Sequence, residues 1–208
     1  MSHYFDEQPS VRSDVRTVDV ALPDVAFTME TDRGVFSHGH VDTGTALLLR
    51  EAPAPAASGD LLDLGCGSGA IAITLALRSP DATVWAVDTN ERALALTSRN
   101  AAGAGADNLR ACAPHDVPAD LRFGTIWSNP PIRIGKPAMR ELLGGWLGRL
   151  TDDGTAVLVV QKHLGADSLH RWLDGQGFRT ERRASRAGFR LLECSARAVG
   201  RADDPDPT

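Results

Sequence analysis

The stretch Asp63-Leu64-Gly65-Cys66-Gly67-Ser68-Gly69 constrains this chain more than any other. Asp60 to Leu64 reads as a short buried strand and Ala70 to Leu77 as an apolar helix, so the glycines fall in the turn between them. A turn stripped of side chains lets the backbone approach a ligand closely. At a helix N-terminus the N–H groups and the macrodipole favour an anionic group such as a carboxylate or a phosphate. Within the helix Ile71, Ile73, Leu75 and Leu77 alternate, which taken alone is a strand pattern. The alanines between them and the preceding Gly69 favour a helix buried on most sides.

Gly65, Gly67 and Ala70 also satisfy the loose G-x-G-x-x-G/A pattern of dinucleotide sites. Two acids sharpen the reading: Asp63 precedes the first glycine by two positions, and Asp88 ends the apolar run Thr83-Val84-Trp85-Ala86-Val87. An acid at the tip of a second strand suits ribose hydroxyls, in nicotinamide and S-adenosylmethionine sites alike. Ser128-Asn129-Pro130-Pro131 separates these two. A dehydrogenase has no use for it, and the chain offers such an enzyme no plausible Tyr-Lys or His-Asp set, Tyr4 being its only tyrosine.

The 208 residues, 42% of them apolar, suffice for one full core. No apolar run has the length of a membrane span and the first residues are too polar and acidic for a signal peptide, so a cytoplasmic protein is expected. Cys66, Cys112 and Cys194 fit no zinc spacing and are read as reduced, structural residues, with Cys66 as small filler in the turn. His38 and His40 lack a third ligand nearby and are read as loop residues, so no metal is expected. A net charge of −5 argues against indiscriminate coating of nucleic acid. Arginines nevertheless crowd the C-terminal part, among them Arg182, Arg183 and Arg186, either as a solvated face or as phosphate contacts; Lys136 and Lys162 are the only lysines.

Val15 to Leu22, Val25 to Thr31 and Val35-Phe36, joined by turns at Pro23-Asp24 and Asp32-Arg33-Gly34, predict a small β-meander. Asp42 or Thr43 is placed to cap a helix running to Arg50. After the second strand a helix starts at Thr89-Asn90-Glu91 and ends by Gly105, a third strand covers Leu109 to Ala113, and a fourth, Phe123 to Ser128, holds Trp127 in the core before the prolines stop it. Lys136-Pro137 opens an amphipathic helix whose apolar face reaches Leu150, and Thr151-Asp152-Asp153-Gly154 ends it. A fifth strand at Ala156 to Gln161, a helix at Ala166 to Leu173 and a hairpin of Phe178 to Ser185 with Phe189 to Ala198 complete the pattern. Alternating elements with short connections imply an α/β doubly wound, mostly parallel sheet with an antiparallel C-terminal hairpin.

Asp-x-Gly-x-Gly-x-Gly followed by Asn-Pro-Pro resembles the S-adenosylmethionine-dependent amino methyltransferases. From Asp32 onward the chain resembles the methyltransferase small-domain family, and within it single-domain relatives of the small-subunit ribosomal RNA guanine-N2 methyltransferases. The marks are Gly34-Val35-Phe36-Ser37, Val41-Asp42-Thr43-Gly44-Thr45, Asp63 to Gly69, Asp88, and Asn129-Pro130-Pro131 with Gly135. The resemblance implies a seven-stranded class I methyltransferase domain over 32–200, preceded by an N-terminal extension and meander in 1–31; the acidic, proline-containing end at 201–208 is read from its composition as a disordered tail. The resemblance also implies S-adenosyl-L-methionine as cofactor, held by Asp63, Gly65, Cys66, Gly67, Gly69, Thr89 and Asn129, with Asp88 at the ribose, Asp116 near the adenine, and Thr43 and Gly44 closing one side of the site.

The catalytic residues it implies are Asn129, Pro130 and Pro131. An exocyclic amine on a base is a poor nucleophile because its lone pair is delocalised into the ring. If the Asn129 oxygen and the Pro130 carbonyl each accept one amine hydrogen, the lone pair turns toward the methyl group; a carboxylate at position 129 would accept as well. Ile132, Arg133, Gly135 and Lys136 are the implied substrate contacts. Ile132 stands where such enzymes commonly carry a base-stacking aromatic, and it offers an apolar face, Arg133 a planar guanidinium. The expected partner is ribosomal RNA or a small-subunit assembly intermediate. Two alternatives stay open: a protein glutamine N-methyltransferase, whose usual Tyr after the second proline is here Ile132, and a non-catalytic RNA-binding or ribosome-assembly factor.

Overall fold

The computed structural model describes residues 11–131 and 134–196, so Ile132, Arg133 and the tail expected at 201–208 lie outside the described residues. A hairpin of β1 (Arg16–Ala21) and β2 (Ala26–Thr31) precedes α1 (Thr43–Glu51). Then follow β3 (Ser58–Leu64), α2 (Ala70–Arg78), β4 (Asp81–Val87), α3 (Glu91–Ala104), β5 (Leu109–Cys112), β6 (Phe123–Ser128), α4 (Lys136–Leu147), β7 (Leu150–Gln161), α5 (Ala166–Gly175), β8 (Phe178–Arg186) and β9 (Phe189–Ala196).

Strands β3 to β9 form one seven-stranded sheet in the order β5-β4-β3-β6-β7-β9-β8. The first five of these positions are parallel, and β9 and β8 are antiparallel, as the sequence pattern predicts. The chain winds outward from β3 to β5, then returns to lay β6 on the other side of β3. That reversal opens a crevice at the carboxyl ends of β3 and β6, the place where such sheets bind ligands. Ser128 Oγ donates to the Leu64 carbonyl at 2.7 Å and locks the two strand ends together, which sets Asn129 beside the glycine turn.

Side-chain alternation divides the core between the two faces of the sheet. Leu61, Val84, Trp127, Val157 and Leu191 pack with α1 and α2; Leu62, Trp85, Ile126, Leu158 and Leu192 pack with α4 and α5. Residues Ala70 to Ala76 of α2 are all buried, so this helix is wrapped on nearly every side and its strand-like alternation decides nothing. The three cysteines are unpaired.

Two expectations need correction. The N-terminal meander is a two-stranded hairpin, because Val35 N–H bonds the Asp32 carbonyl in a tight turn and Val35 sinks between Ala93 and Leu96 of α3 instead of pairing with β2. The amphipathic helix stops at Leu147, and 151–154 belong to β7. Gly154 makes this possible: a Cβ there would lie 2.8 Å from the Phe123 carbonyl oxygen, where the β6–β7 register shifts.

Candidate active site

Asn100 fastens the N-terminal hairpin to the glycine turn. Its side chain pairs with both the N–H and the carbonyl of Glu30 in β2, each at 2.8 Å, and donates to the Ser68 carbonyl at 2.8 Å. Asn90, the N-cap of α3, accepts from the Arg92 and Ala93 N–H groups and donates to the Gly34 carbonyl at 2.8 Å. Gly34-Val35-Phe36 is thereby drawn over the turn, and Phe36 is left 49% exposed beside Gly67.

Under this cover lies a narrow cleft lined by Gly65, Cys66, Gly67, Ser68, Phe36, His40, Asp42, Thr45 and Asn129. Gly65 has φ +80°, and a Cβ there would meet nothing within 4 Å, so the bare backbone faces open space. The turn is less free than a row of unpaired N–H groups. Gly65 and Cys66 donate to the Val87 carbonyl, Gly67 to Asp88 Oδ2 at 3.0 Å and Gly69 to the Cys66 carbonyl.

Asp63 is fully buried and Oδ2 accepts from the Ala72 N–H at 2.9 Å in the first turn of α2, while Oδ1 has no partner among the described residues. Burial pushes its pKa well above the usual carboxylate value, the Ala72 N–H pulls it back, and the charge of Asp88 raises it further. Burial also raises Asp88, against the N–H groups of Asn90, Gly67 and Thr89. Cys66 is buried, its thiol is held protonated well above its ordinary value by burial and by both acids, and it sits 3.6 Å from Thr97 Oγ1 as filler.

The Asp63 shift has a measurable sign. A carboxyl with a raised folded-state pKa contributes stability that is whole below the ordinary value and disappears as pH rises through the raised one. In the cofactor-free protein the melting temperature of Asp63→Asn minus that of wild type should therefore grow from pH 4 to pH 8. Thermal unfolding across that range checks it, and a difference that does not change with pH would contradict it.

Asn129 sits at the carboxyl end of β6. Its Nδ2 donates to Asp42 Oδ2 at 2.9 Å and to Thr45 Oγ1 at 3.1 Å, so both amide hydrogens are committed and Oδ1 keeps its acceptor capacity. Asp42 is itself the N-cap of α1, accepting from the Thr45 N–H at 3.0 Å. The sequence reading gave Asp42 and Thr45 no place beside Asn129: Asp42 reads as a helix cap, and both fall in the Val41–Thr45 mark of the resemblance without a role there.

The remaining candidates are spread around this cleft. Thr43 is exposed, and Gly44 is buried because a Cβ on it would lie 2.8 Å from Phe189 Cε1. Gly69 abuts Thr97 of α3. Thr89 and Pro131 line a second, open groove with Ile134, Leu142 and Trp146 of the α4 side. Asp116 is exposed beyond β5, on a 3-10 turn. Gly135 caps α4 with φ +90° and Lys136 is exposed at its first residue. Among the described residues no group of three His, Cys, Asp or Glu side chains could hold a metal ion, and no helix is long and apolar enough to cross a membrane.

A doubly wound sheet with this reversal, a glycine turn, an acid at the next strand tip and Asn-Pro-Pro at the third defines a class I S-adenosylmethionine-dependent methyltransferase. The chain belongs to the methyltransferase small domain family, which it matches over residues 26–193. It is 37% identical over 169 residues to the uncharacterized protein YbxB of Bacillus subtilis, covering 80% of this chain and 84% of that one. It is 33% identical over 174 residues to ribosomal RNA small subunit methyltransferase C of Aeromonas hydrophila, covering 81% of this chain and 49% of that one. Among solved structures it resembles the T. thermophilus 16S rRNA N2 G1207 methyltransferase RsmC in complex with AdoMet and guanosine, with a TM-score of 0.75, 25% identity, and coverage of 91% of this chain and 52% of that one. The chain thus spans about half the length of the ribosomal RNA methyltransferases it matches. S-adenosylmethionine is the cofactor, and the residues present fit it: bare backbone at Gly65, an unpartnered buried oxygen on Asp63 and the Asp88 carboxylate suit its ammonium and ribose groups.

Proposed function

We propose that this protein methylates the exocyclic N2 amine of a guanine in small-subunit ribosomal RNA. The observation that carries the reading is the fixed amide of Asn129, whose two hydrogens are held by Asp42 and Thr45. Its oxygen is left to accept one hydrogen of an incoming amine, and the Pro130 carbonyl accepts the second. Proline at 131 has no N–H to compete, and its ring restricts the preceding residue to extended conformations. The amine nitrogen held between these acceptors has its lone pair turned out of the ring plane toward the glycine turn. S-adenosylmethionine supplies a methyl group already activated by its sulfonium, so no metal and no general base is needed at the transfer step.

Asp88 and Thr89 hold the ribose, Asp63 and the glycine turn the amino-acid end, and Phe36 lends an aromatic face inside the cleft for stacking a planar ring. This is the role that the resemblance reserves for the residue after Pro131. The relatives named for 16S or small-subunit ribosomal RNA support the choice of acceptor, and such an enzyme works in the cytoplasm, where ribosomes are assembled. The test is a map of modified nucleosides in small-subunit ribosomal RNA from a deletion strain. The reading expects one N2-methylguanosine to disappear and to return when the gene is restored; an unchanged map would overturn it.

A further inference from the structure

The two lysines of the chain, far apart in sequence, border the same turn of the fold. Lys136 opens α4, and its Cε lies 3.3 Å from the point where a Cβ on Gly165 would stand. Gly165 closes the exposed turn Lys162-His163-Leu164 that leaves the carboxyl end of β7. Among the described residues neither lysine has an acidic side chain within ion-pair distance. The C-terminal arginines differ. Arg182 and Arg190 share Asp167, Arg183 pairs with Glu193 at 2.7 Å and Arg186 with Glu51 at 3.4 Å. Each of these four has a carboxylate partner within the protein, which favours the solvated-face reading for them.

The sheet order gives this pair its meaning. Along the carboxyl edge run Asp116 past β5, Asp88 at β4, the glycine turn at β3, Asn129 at β6, then Lys162 at β7. Asp88 and Asp116 stand on the β4–β5 side, Lys162 on the β7 side, and Asp42 of α1 lies against Asn129 itself. A target nucleotide reaching Asn129 from the β7 side would bring its flanking phosphates over Lys136 and Lys162.

Resting on the proposed RNA reading, we infer that Lys136 and Lys162, with the turn 162–164, form the surface that carries the RNA phosphodiester backbone next to the target base, and that Arg182, Arg183 and Arg186 do not. Phosphate contacts reveal themselves in salt dependence, because each releases counterions. The probe is a fluorescent single-stranded fragment of 16S ribosomal RNA, titrated with the full chain over a salt series. For K136Q/K162Q the slope of log affinity against log salt is expected to flatten by about 1.4, at about 0.7 per phosphate contact on a single strand. S-adenosylmethionine affinity by calorimetry should stay at the wild-type value, which also reports that the variant folds. R182Q/R183Q/R186Q should keep the wild-type slope. If the wild type shows a steep slope and the lysine variant keeps it, or if the arginine variant loses it instead, the lysine surface is wrong while the RNA reading stands. If the wild type binds the RNA with no salt dependence or not at all, the RNA reading falls and the surface with it.

Discussion

Asn129→Ala is expected to bind S-adenosylmethionine as wild type does and to lose at least about a hundredfold in methyl transfer, the scale of removing one positioned polar group from a reacting centre. The fold should survive, because Asp42 still accepts from the Thr45 N–H and α1 keeps its cap; the lost hydrogen bond to the Asp42 carboxylate sets an expected cost of about 1.5–3 kcal/mol. The structure reverses the expectation that a carboxylate would be tolerated at this position. Asn129 Nδ2 lies 2.9 Å from Asp42 Oδ2, so Asn129→Asp sets two carboxylates against each other and should do no better than alanine. Asp42→Ala leaves the amide in place but free to turn, and should lower the rate by less than Asn129→Ala while costing about 0.5–2 kcal/mol for the cap. Single-turnover methyl transfer and calorimetry on the same samples check all three. Equal losses of rate and of cofactor affinity in Asn129→Ala would mean that the side chain only builds the cofactor site.

Asp88→Ala should show the opposite profile. Its carboxylate accepts from Gly67 N–H at 3.0 Å and Asn90 N–H at 3.0 Å, so it both shapes the glycine turn and presents acceptors at the strand tip. Removing it is expected to weaken S-adenosylmethionine binding by about 1.5–3 kcal/mol, the worth of a hydrogen bond to a charged group. The rate at saturating cofactor should change much less. Calorimetry decides the first part, and an affinity unchanged within error would remove Asp88 from the site.

Much of the fold is legible because it rests on local signals. The glycine turn, the apolar strands and the prolines after Asn129 each act over a few residues, and their order alone gives the doubly wound sheet. The failures have a common cause in contacts between distant segments. Val35 leaves the expected meander because α3 offers it a buried seat, and β7 begins early because Gly154 lets it close on Phe123. The site shows the same division. Asn129 and Asp88 stand out by their neighbours in the chain, whereas Asp42 and Thr45 matter only because the fold brings α1 to Asn129 across more than eighty positions. Phe36 likewise looks like an ordinary apolar residue until Asn90 and Asn100 draw its segment over the glycine turn.

The central claim is that the acceptor is the N2 amine of a guanine, and one substitution in the substrate isolates it. Inosine is guanosine without that amine. Purified protein, labelled S-adenosylmethionine and small-subunit ribosomal RNA from the deletion strain should give N2-methylguanosine on nuclease digestion, and the same RNA with inosine at the methylated position should take no label. Label that persists on the inosine RNA, or that appears on a protein glutamine instead, would contradict the account.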